Sequence, residues 1–307
     1  MELRKIGSLD VSVVGLGCNN FGWRIGLEES KAVVSAALEA GINFLDTADM
    51  YDTGRSEEFL GDALGARRKK VVLATKFGFE MGEGMSGAKP TYVRTAAEAS
   101  LKRLKTDYID LYQLHRPDPE TPIADTLGEM AKLVREGKVR EIGCSNFSAA
   151  QLREGQAAAG PGAPRFVSVQ NEYSLIQRGP EAEVIPECRR LHVSFIPYFP
   201  LANGLLTGKY RKGRPLPEYS RGKDAWGPSV FSDRNLEIVE QLTAFAGKRG
   251  HTMLELAISW LAAQDTVPSV IAGAKTPEQA RANAAAGAWR FTKEELGEID
   301  SIVLQAA

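Results

Sequence analysis

The chain has 307 residues, 43% of them hydrophobic and 25% charged, and its formal net charge is −1. This is the composition of an ordinary globular protein, so it argues against a disordered or collagen-like chain. No basic block accompanies the nearly neutral charge, which argues against a nucleic acid or an anionic membrane surface as a partner.

Three features predict a cytoplasmic protein. The cysteines Cys18, Cys144 and Cys188 are too few and too scattered for a disulfide framework, which favours a reducing compartment. The segment MELRKIGSLD is charged and lacks the apolar core of a signal peptide. No apolar stretch reaches the roughly 18 residues that a membrane-spanning helix needs.

Short apolar runs rich in β-branched residues recur along the chain. Several are apolar nearly throughout, as strands buried on both faces are. The eight runs interpreted as strands are SVVGLGC (12–18), INFLDTA (42–48), VVLATK (71–76), YIDLYQLH (108–115), VREIGCSN (139–146), FVSVQNEY (166–173), VSFIPYFP (193–200) and PSVIAGA (268–274).

Helical patterns lie between these runs. In EESKAVVSAALEAG the apolar residues recur three and four positions apart, and the pattern ends at Gly41, a residue type favoured just beyond a helix. The other helical segments are TYVRTAAEASLKRL after Pro90, TPIADTLGEMAKLVREGK, DRNLEIVEQLTAFAGKRG, TMLELAISWLAAQ and TKEELGEIDSIV.

This alternation predicts an α/β protein with a parallel sheet and right-handed crossovers. Eight strands in a chain of this length favour a (β/α)8 TIM barrel, formed by residues 1–307 as a single domain, over an open doubly wound sheet. The leading segment ELRKIGSLDVS predicts an N-terminal β-hairpin that closes the bottom of the barrel. About 70 residues separate the last two strands. They include RKGRPLPEYSRGKDAWGPSVFSDRN, a long loop of the kind that serves as a lid.

Polar side chains at the ends of three strands predict the active site. Catalytic groups of such barrels gather at the C-terminal ends of the strands. The second strand ends at Asp46, with Tyr51 in the loop beyond it, the third ends at Lys76 and the fourth at His115. We therefore expect these four side chains on one face of the barrel.

The four side chains suit reduction of a carbonyl group. A hydride that reaches the carbonyl carbon leaves negative charge on oxygen, and a proton must meet it. Tyr51, protonated at pH 7, can donate that proton, and the Lys76 ammonium is expected to lower the pKa of Tyr51. Asp46 is expected to supply the counter-charge that a buried lysine needs, and His115 to orient the carbonyl oxygen.

Each of these residues also has a simpler structural interpretation. A histidine at a strand end can be a cap, a lone lysine there is more often solvated, and a lone tyrosine more often lies in the core. The occurrence of all four residues at or just beyond strand ends favours a catalytic role. The segment GEGMSG (82–87) matches a dinucleotide-binding glycine motif, but it neither follows a strand directly nor opens a helix, so it is interpreted as a loop.

The chain resembles the aldo-keto reductase family over nearly its whole length. The resemblance lies in the ordered blocks GLGCNNFG, GINFLDTADMYDTGRSEEFLGDAL, TKFG, YIDLYQLHRPD, GKVREIGCSNF, VQNEYSLIQR, PLANGLLTGKY and GAKTPEQARAN. It implies a (β/α)8 barrel that binds NADPH in an extended pose without a Rossmann domain. The family's catalytic tetrad falls on Asp46, Tyr51, Lys76 and His115.

The resemblance also implies the cofactor contacts. Ser145, Asn146 and Gln170 would hold the nicotinamide carboxamide, and Tyr198 would stack on its ring. Lys275 would meet a 2′-phosphate as a point charge. The full set is Gly17, Cys18, Asn19 and Asp46 near the first strands, Ser145, Asn146, Gln170 and Tyr198 at the nicotinamide, Pro200, Leu201, Gly204, Lys209 and the lid residue Arg221 along the pyrophosphate, and Gly273, Lys275, Gln279 and Asn283 at the adenosine end.

Three positions depart from the family's pattern. Phe199 stands where a serine is common, which removes a hydrogen bond to phosphate. Ala282 stands where a glutamate often reaches the adenine, and Cys18 stands where threonine is common. None belongs to the tetrad.

The sequence thus predicts an enzyme, an NADPH-dependent aldo-keto reductase that converts an aldehyde or ketone to an alcohol or runs the reverse. Its partner would be a small-molecule carbonyl substrate, with candidate pocket walls at Trp23, Tyr51, Phe79, His115 and Trp226. One alternative is a nucleotide-sensing subunit like the potassium-channel β-subunits, which carry another residue at the position of His115. The other is a lyase that forms a Schiff base on Lys76.

Overall fold

The computed structural model describes residues 1–214 and 230–305. Their strands are β1 (Leu3–Ile6), β2 (Leu9–Ser12), β3 (Val14–Gly17), β4 (Phe44–Asp46), β5 (Val72–Phe77), β6 (Ile109–Leu114), β7 (Val139–Ser145), β8 (Phe166–Glu172), β9 (Ser194–Tyr198) and β10 (Val270–Gly273). Their α-helices are α1 (Leu27–Glu39), α2 (Arg55–Leu64), α3 (Pro90–Arg103), α4 (Ile123–Arg135), α5 (Ala149–Ala158), α6 (Val184–Leu191), α7 (Asp233–Gly247), α8 (Met253–Ala262), α9 (Pro277–Ala285) and α10 (Lys293–Gln305).

The eight strands β3 to β10 form a parallel sheet in the order β10-β3-β4-β5-β6-β7-β8-β9. β10 also approaches β9, so the sheet curls into a nearly closed barrel with helices around it. The pairing sets neighbouring site residues level with one another: Gly17 lies opposite Asp46, Lys76 opposite Gln113 and Ser145 opposite Gln170. The predicted TIM barrel is confirmed.

The hairpin formed by β1 and β2 covers the N-terminal end of the barrel, as predicted. Its side chains Ile6, Leu9 and Val11 are buried against Phe44, Ala74, Leu111, Ile196 and Ile271 of the barrel strands. Burial of each such side chain stabilises the fold by about 1.5–3 kcal/mol. The Ser8 backbone N–H also donates to Glu141 Oε1 at 2.7 Å. The N-terminal end of the barrel is therefore filled by side chains of the hairpin.

Local sequence signals explain where several helices begin and end. α1 buries Val33, Val34, Ala36 and Ala37 on one side. It is followed by Gly41, whose φ of +88° suits a residue without a side chain. α8 begins with a reciprocal capping box between Thr252 and Glu255. The GEGMSG segment is a loop, and Pro90 opens the helix that follows it.

The long connection between β9 and β10 is partly helical. It contains a 3-10 segment at Ala202–Thr207, followed later by α7 and α8. The central part of the predicted lid, with Arg221 and Trp226, lies outside the described residues. Within residues 1–214 and 230–305, no helix is both long enough and apolar enough to cross a membrane.

Candidate active site

Lys76 lies at the centre of the site, fully buried on β5. Its ammonium nitrogen Nζ is 2.6 Å from Asp46 Oδ2, 2.8 Å from the Thr47 carbonyl oxygen and 3.4 Å from the Tyr51 hydroxyl oxygen. An ammonium has three N–H donors, and these three oxygens account for all of them. The lysine thus joins β4 to the loop that carries Tyr51.

The second oxygen of Asp46 is held by two glutamines. Gln170 Nε2 donates to Asp46 Oδ1 at 2.9 Å, and Gln113 Nε2 donates to the same oxygen at 3.3 Å. Gln113 was missed by the sequence analysis. The available signal was a polar residue inside the apolar run YIDLYQLH, two positions before His115 and therefore on the same face of the strand.

His115 follows β6 directly and is 8% exposed. Its ring lies edge-on to the rings of Tyr51 and Phe79, with centroid separations of 6.0 Å and 4.6 Å. The ring atom Nδ1 is buried and has no hydrogen-bond partner in the described part of the chain. The structure therefore brings Asp46, Tyr51, Lys76 and His115 together, with an unsatisfied polar atom among them.

Burial and the ion pair set the charges in the site. Desolvation opposes the charge of the Lys76 ammonium, but Asp46 and then Tyr51 favour it, and the pKa of Lys76 is raised. Desolvation, with smaller contributions from Lys76 and Arg116, lowers the pKa of His115 well below its ordinary value. At neutral pH the lysine is charged and the imidazole is neutral.

The expected pKa of Tyr51 needs correction. Lys76 does favour the phenolate, but desolvation of the hydroxyl is the larger effect and raises the pKa of Tyr51 above its ordinary value. The sequence predicted the neighbouring charge of Lys76 but not how deeply the Tyr51 hydroxyl is buried. Tyr51 is therefore a protonated group at neutral pH.

The three predicted carboxamide contacts lie beside this centre. Asn146 follows β7 with a left-handed φ of +62°, a conformation that asparagine tolerates. Its Nδ2 donates to the His115 carbonyl oxygen at 3.0 Å, and its Oδ1 accepts from the Tyr198 hydroxyl at 2.9 Å. The Ser145 hydroxyl donates to the Gln170 carbonyl oxygen at 2.7 Å. Amide and hydroxyl groups thus converge next to Tyr198, which fits a carboxamide and an aromatic ring.

The loop after β9 contains several residues in the left-handed conformation. Phe199, Ala202, Asn203 and Gly204 have positive φ angles of 50°, 44°, 56° and 92°. The Ala202 and Gly204 N–H groups close turns by donating to the Phe199 and Leu201 carbonyl oxygens, and N–H groups of such a loop that close no turn can bind phosphate. Three of these four residues are not glycine, and such backbone strain concentrates at functional sites. Pro200, Leu201 and Gly204 belong to this loop, and Lys209 follows it as an exposed residue.

The residues predicted to contact the adenosine lie around the end of β10. Gln279 Oε1 accepts from the Lys275 backbone N–H at 2.8 Å, and Asn283 Nδ2 donates to the Gly273 carbonyl oxygen at 3.2 Å. These two side chains therefore shape the loop that carries Lys275. A side chain at Gly273 would lie within 3.1–3.5 Å of Asn20 and Asn19, so glycine keeps this edge open beside Gly17.

Cys18 is directed into the protein. It is buried, and its backbone N–H donates to the Asp46 carbonyl oxygen at 2.9 Å. Desolvation, followed by the charge of Asp46, raises the pKa of the Cys18 thiol well above its usual value. The Cys18 carbonyl oxygen is also engaged, because it accepts from the Ser56 hydroxyl at 2.9 Å. Arg221 lies outside the described residues.

Asp49 is a buried carboxyl that the sequence analysis did not interpret. It is 1% exposed, and neither oxygen makes a hydrogen bond to a described residue. Desolvation, followed by repulsion from the buried Glu57, raises the pKa of Asp49 to about 7. Its backbone N–H donates to the Lys76 carbonyl oxygen at 3.1 Å, which places this group directly behind the site.

Residues 13–304 match the model of the Aldo/keto reductase family. The chain belongs to this family. Its members generally use nicotinamide cofactors and act on small molecules, which supports a carbonyl-reducing oxidoreductase activity for this aldo/keto reductase.

Two relatives illustrate the relationship. The chain is 38% identical over 310 aligned residues to the uncharacterized oxidoreductase YqkF of Bacillus subtilis (strain 168), covering 98% of this chain and 96% of YqkF. It is similar in structure to the glycerol dehydrogenase AKR11B4 of Gluconobacter oxydans. That similarity has a TM-score of 0.86 and 28% identity, and covers 99% of this chain and 96% of AKR11B4.

Proposed function

We propose that this aldo/keto reductase uses NADPH to reduce an aldehyde or ketone to an alcohol, with Tyr51 as the general acid. The observation that carries the proposal is the position of the Lys76 ammonium, 2.6 Å from Asp46 and 3.4 Å from the Tyr51 hydroxyl. The reverse oxidation would use the same groups, with Tyr51 accepting the proton. A cytoplasmic location stays a prediction.

Proton transfer from Tyr51 is the chemical step that this chain supplies. The phenol is protonated at neutral pH and donates to the carbonyl oxygen as negative charge develops there. Lys76 then stabilises the phenolate, because its charge and an N–H face the same oxygen. Asp46 keeps that lysine charged, and Gln113 and Gln170 hold Asp46 in place.

His115 has a different task. Since burial keeps its imidazole neutral, one ring nitrogen carries a hydrogen and can donate it to the substrate oxygen. The rings of Tyr51 and Phe79 fix the imidazole from two sides. A donor held in place before the reaction stabilises developing charge without reorganisation.

The bound nicotinamide would supply the hydride. Ser145, Asn146 and Gln170 would orient its carboxamide, and the face of Tyr198 would carry its ring. Asn146 accepts from Tyr198 through Oδ1, and its Nδ2 donates to the His115 carbonyl oxygen and the Ser145 hydroxyl oxygen, so a carboxamide oxygen would replace one of these two acceptors. The left-handed loop 199–204 would receive the pyrophosphate, and Lys275 would pair with the 2′-phosphate that distinguishes NADPH.

The geometry does not favour Schiff-base chemistry. A nucleophilic lysine must lose its proton, whereas Lys76 has a raised pKa and is engaged by three oxygens. A nucleotide sensor without turnover is not favoured either. The potassium-channel β-subunits carry another residue at the position of His115, whereas in this chain the histidine lies beside Tyr51.

A panel of aldehydes and ketones, assayed by the loss of NADPH absorbance, tests the proposal. We expect turnover of at least one aldehyde by the wild-type protein and its near loss in Tyr51→Phe. Tight NADPH binding without turnover of any member of the panel would favour the nucleotide-sensing alternative.

A further inference from the structure

Arg116 is an exposed arginine that directly follows His115. Its guanidinium carbon lies 4.5 Å from the centre of the Phe79 ring, and Phe79 packs edge-on against His115 at 4.6 Å. The positive charge is close enough to His115 to disfavour protonation of the imidazole. Arg116 is therefore tied to the active site by one aromatic ring.

This charge is not neutralised within the described chain. No carboxylate oxygen of residues 1–214 and 230–305 lies within ion-pair distance of the Arg116 guanidinium. The carboxylate of Asp118, two positions further along the chain, is engaged in other hydrogen bonds. It accepts from the Ala88 N–H at 2.7 Å, the Glu120 N–H at 3.0 Å and the Thr121 hydroxyl at 2.8 Å.

The N–H donors of the Arg116 guanidinium are available. Its central carbon lies over the face of the Phe79 ring, and none of the five N–H donors, which lie along the planar edge of the group, makes a hydrogen bond to a described residue. Such an edge matches a carboxylate or a phosphate with two parallel hydrogen bonds. The aromatic ring also restricts where the edge can lie, which reduces the entropy lost on binding an anion.

We propose that Arg116 selects carbonyl substrates that carry an anionic group, a carboxylate or a phosphate, near the reacting carbonyl. The inference rests on the proposed carbonyl reduction and names its substrate class. The carbonyl oxygen meets Tyr51 and His115, and the anionic group extends past Phe79 to the guanidinium edge. Arg116 acts as a specificity residue and takes no part in the proton transfer.

Two matched substrate pairs test this selection. One compares 4-carboxybenzaldehyde with methyl 4-formylbenzoate, and the other compares glyceraldehyde 3-phosphate with glyceraldehyde. The two pairs distinguish a carboxylate from a phosphate. Each is measured with wild type, Arg116→Gln, Arg116→Lys and the control Arg135→Gln, an exposed arginine on the last turn of α4.

The expected readout is the ratio of kcat/KM within at least one pair. Wild type should favour the anionic member by about ten-fold or more, since a charge-assisted hydrogen bond supports such a factor. The preference should appear in KM rather than in kcat, because the contact is equal in the ground and transition states. Arg116→Gln should remove it, Arg116→Lys should keep part of it, high salt should weaken it and Arg135→Gln should leave it unchanged.

A wild-type ratio near one in both pairs, with the neutral aldehydes turned over, would overturn the inference and leave the proposed function intact. An unchanged ratio in Arg116→Gln would do the same. If no aldehyde is turned over, the proposed function fails. In that case the anion site is tested separately, by calorimetric titration of 4-(hydroxymethyl)benzoic acid and of its methyl ester in the presence of NADP+. Equal affinities of the acid and the ester for wild type would overturn the anion site.

Discussion

Lys76 Nζ and Asp46 Oδ2 form an ion pair of 2.6 Å in which the two side chains are 0% and 2% exposed. Neither charge can be hydrated there, so each depends on the other and on the hydrogen bonds around the pair. The pair also holds a positive charge against the Tyr51 hydroxyl. Stability and the proposed catalysis therefore depend on this one contact.

Tyr51→Phe is expected to lower the rate of carbonyl reduction by about 10²–10⁴-fold, the usual contribution of a positioned general acid. The ring stays, so NADPH affinity should stay close to that of wild type. Single-turnover hydride transfer measures the rate, and a separate fluorescence titration measures binding. A variant that keeps more than about a tenth of the wild-type rate would exclude Tyr51 as the acid.

Lys76→Met is expected to reduce the rate for another reason, because the phenol remains but the charge that stabilises its conjugate base is lost. The double variant with Tyr51→Phe should lose less rate than the product of the two single fold-losses, since both substitutions act on one proton transfer. Rates that multiply in the double variant would show that the two residues act independently.

Lys76→Met should also be less stable, by about 3–5 kcal/mol, because Asp46 is left as an uncompensated buried charge. Urea unfolding at pH 7.5 measures the free energy of unfolding. Lys102→Met, at an exposed position on α3, is the matched control and should change little. Equal destabilisation by both substitutions would contradict a structural role for the ion pair.

Asp49→Asn is expected to stabilise the protein at pH 8. The pKa of this carboxyl is about 7 in the folded state and about 3.9 when unfolded, so its ionisation opposes folding. The penalty is absent below pH 4, grows between pH 4 and pH 7, and reaches up to about 4 kcal/mol above that. Thermal unfolding from pH 4 to pH 8 should show a gain from the substitution that increases with pH. The exposed Asp107→Asn serves as control, and a loss of stability at pH 8 would contradict the prediction.

Lys275→Gln is expected to weaken NADPH binding by about ten-fold or more and to leave NADH binding nearly unchanged. A charge-assisted contact to the 2′-phosphate supports this factor, and NADH lacks that phosphate. Fluorescence quenching with each nucleotide measures both affinities. If wild type binds NADPH and NADH equally well, the predicted preference is wrong.

The local sequence was sufficient for the architecture. The runs that became β3 to β10 are apolar because both faces of each strand are covered, and this pattern is visible without coordinates. The strand order followed from the alternation with helices, which permits few topologies. For the same reason Asp46, Lys76 and His115 could be assigned to one end of the barrel, since parallel strands end on the same face.

Only the tertiary structure decided how these groups affect one another. Three contacts join residues that are separated in the sequence. Gln113 and Gln170 donate hydrogen bonds to Asp46, and Asp49 is buried beside Glu57. Arg116 lies over the ring of Phe79. The pKa of Tyr51 shows the reason. The sequence placed a positive charge near the phenol, but the net shift depends on desolvation, which is a property of all the atoms packed around the hydroxyl and not of any neighbour along the chain.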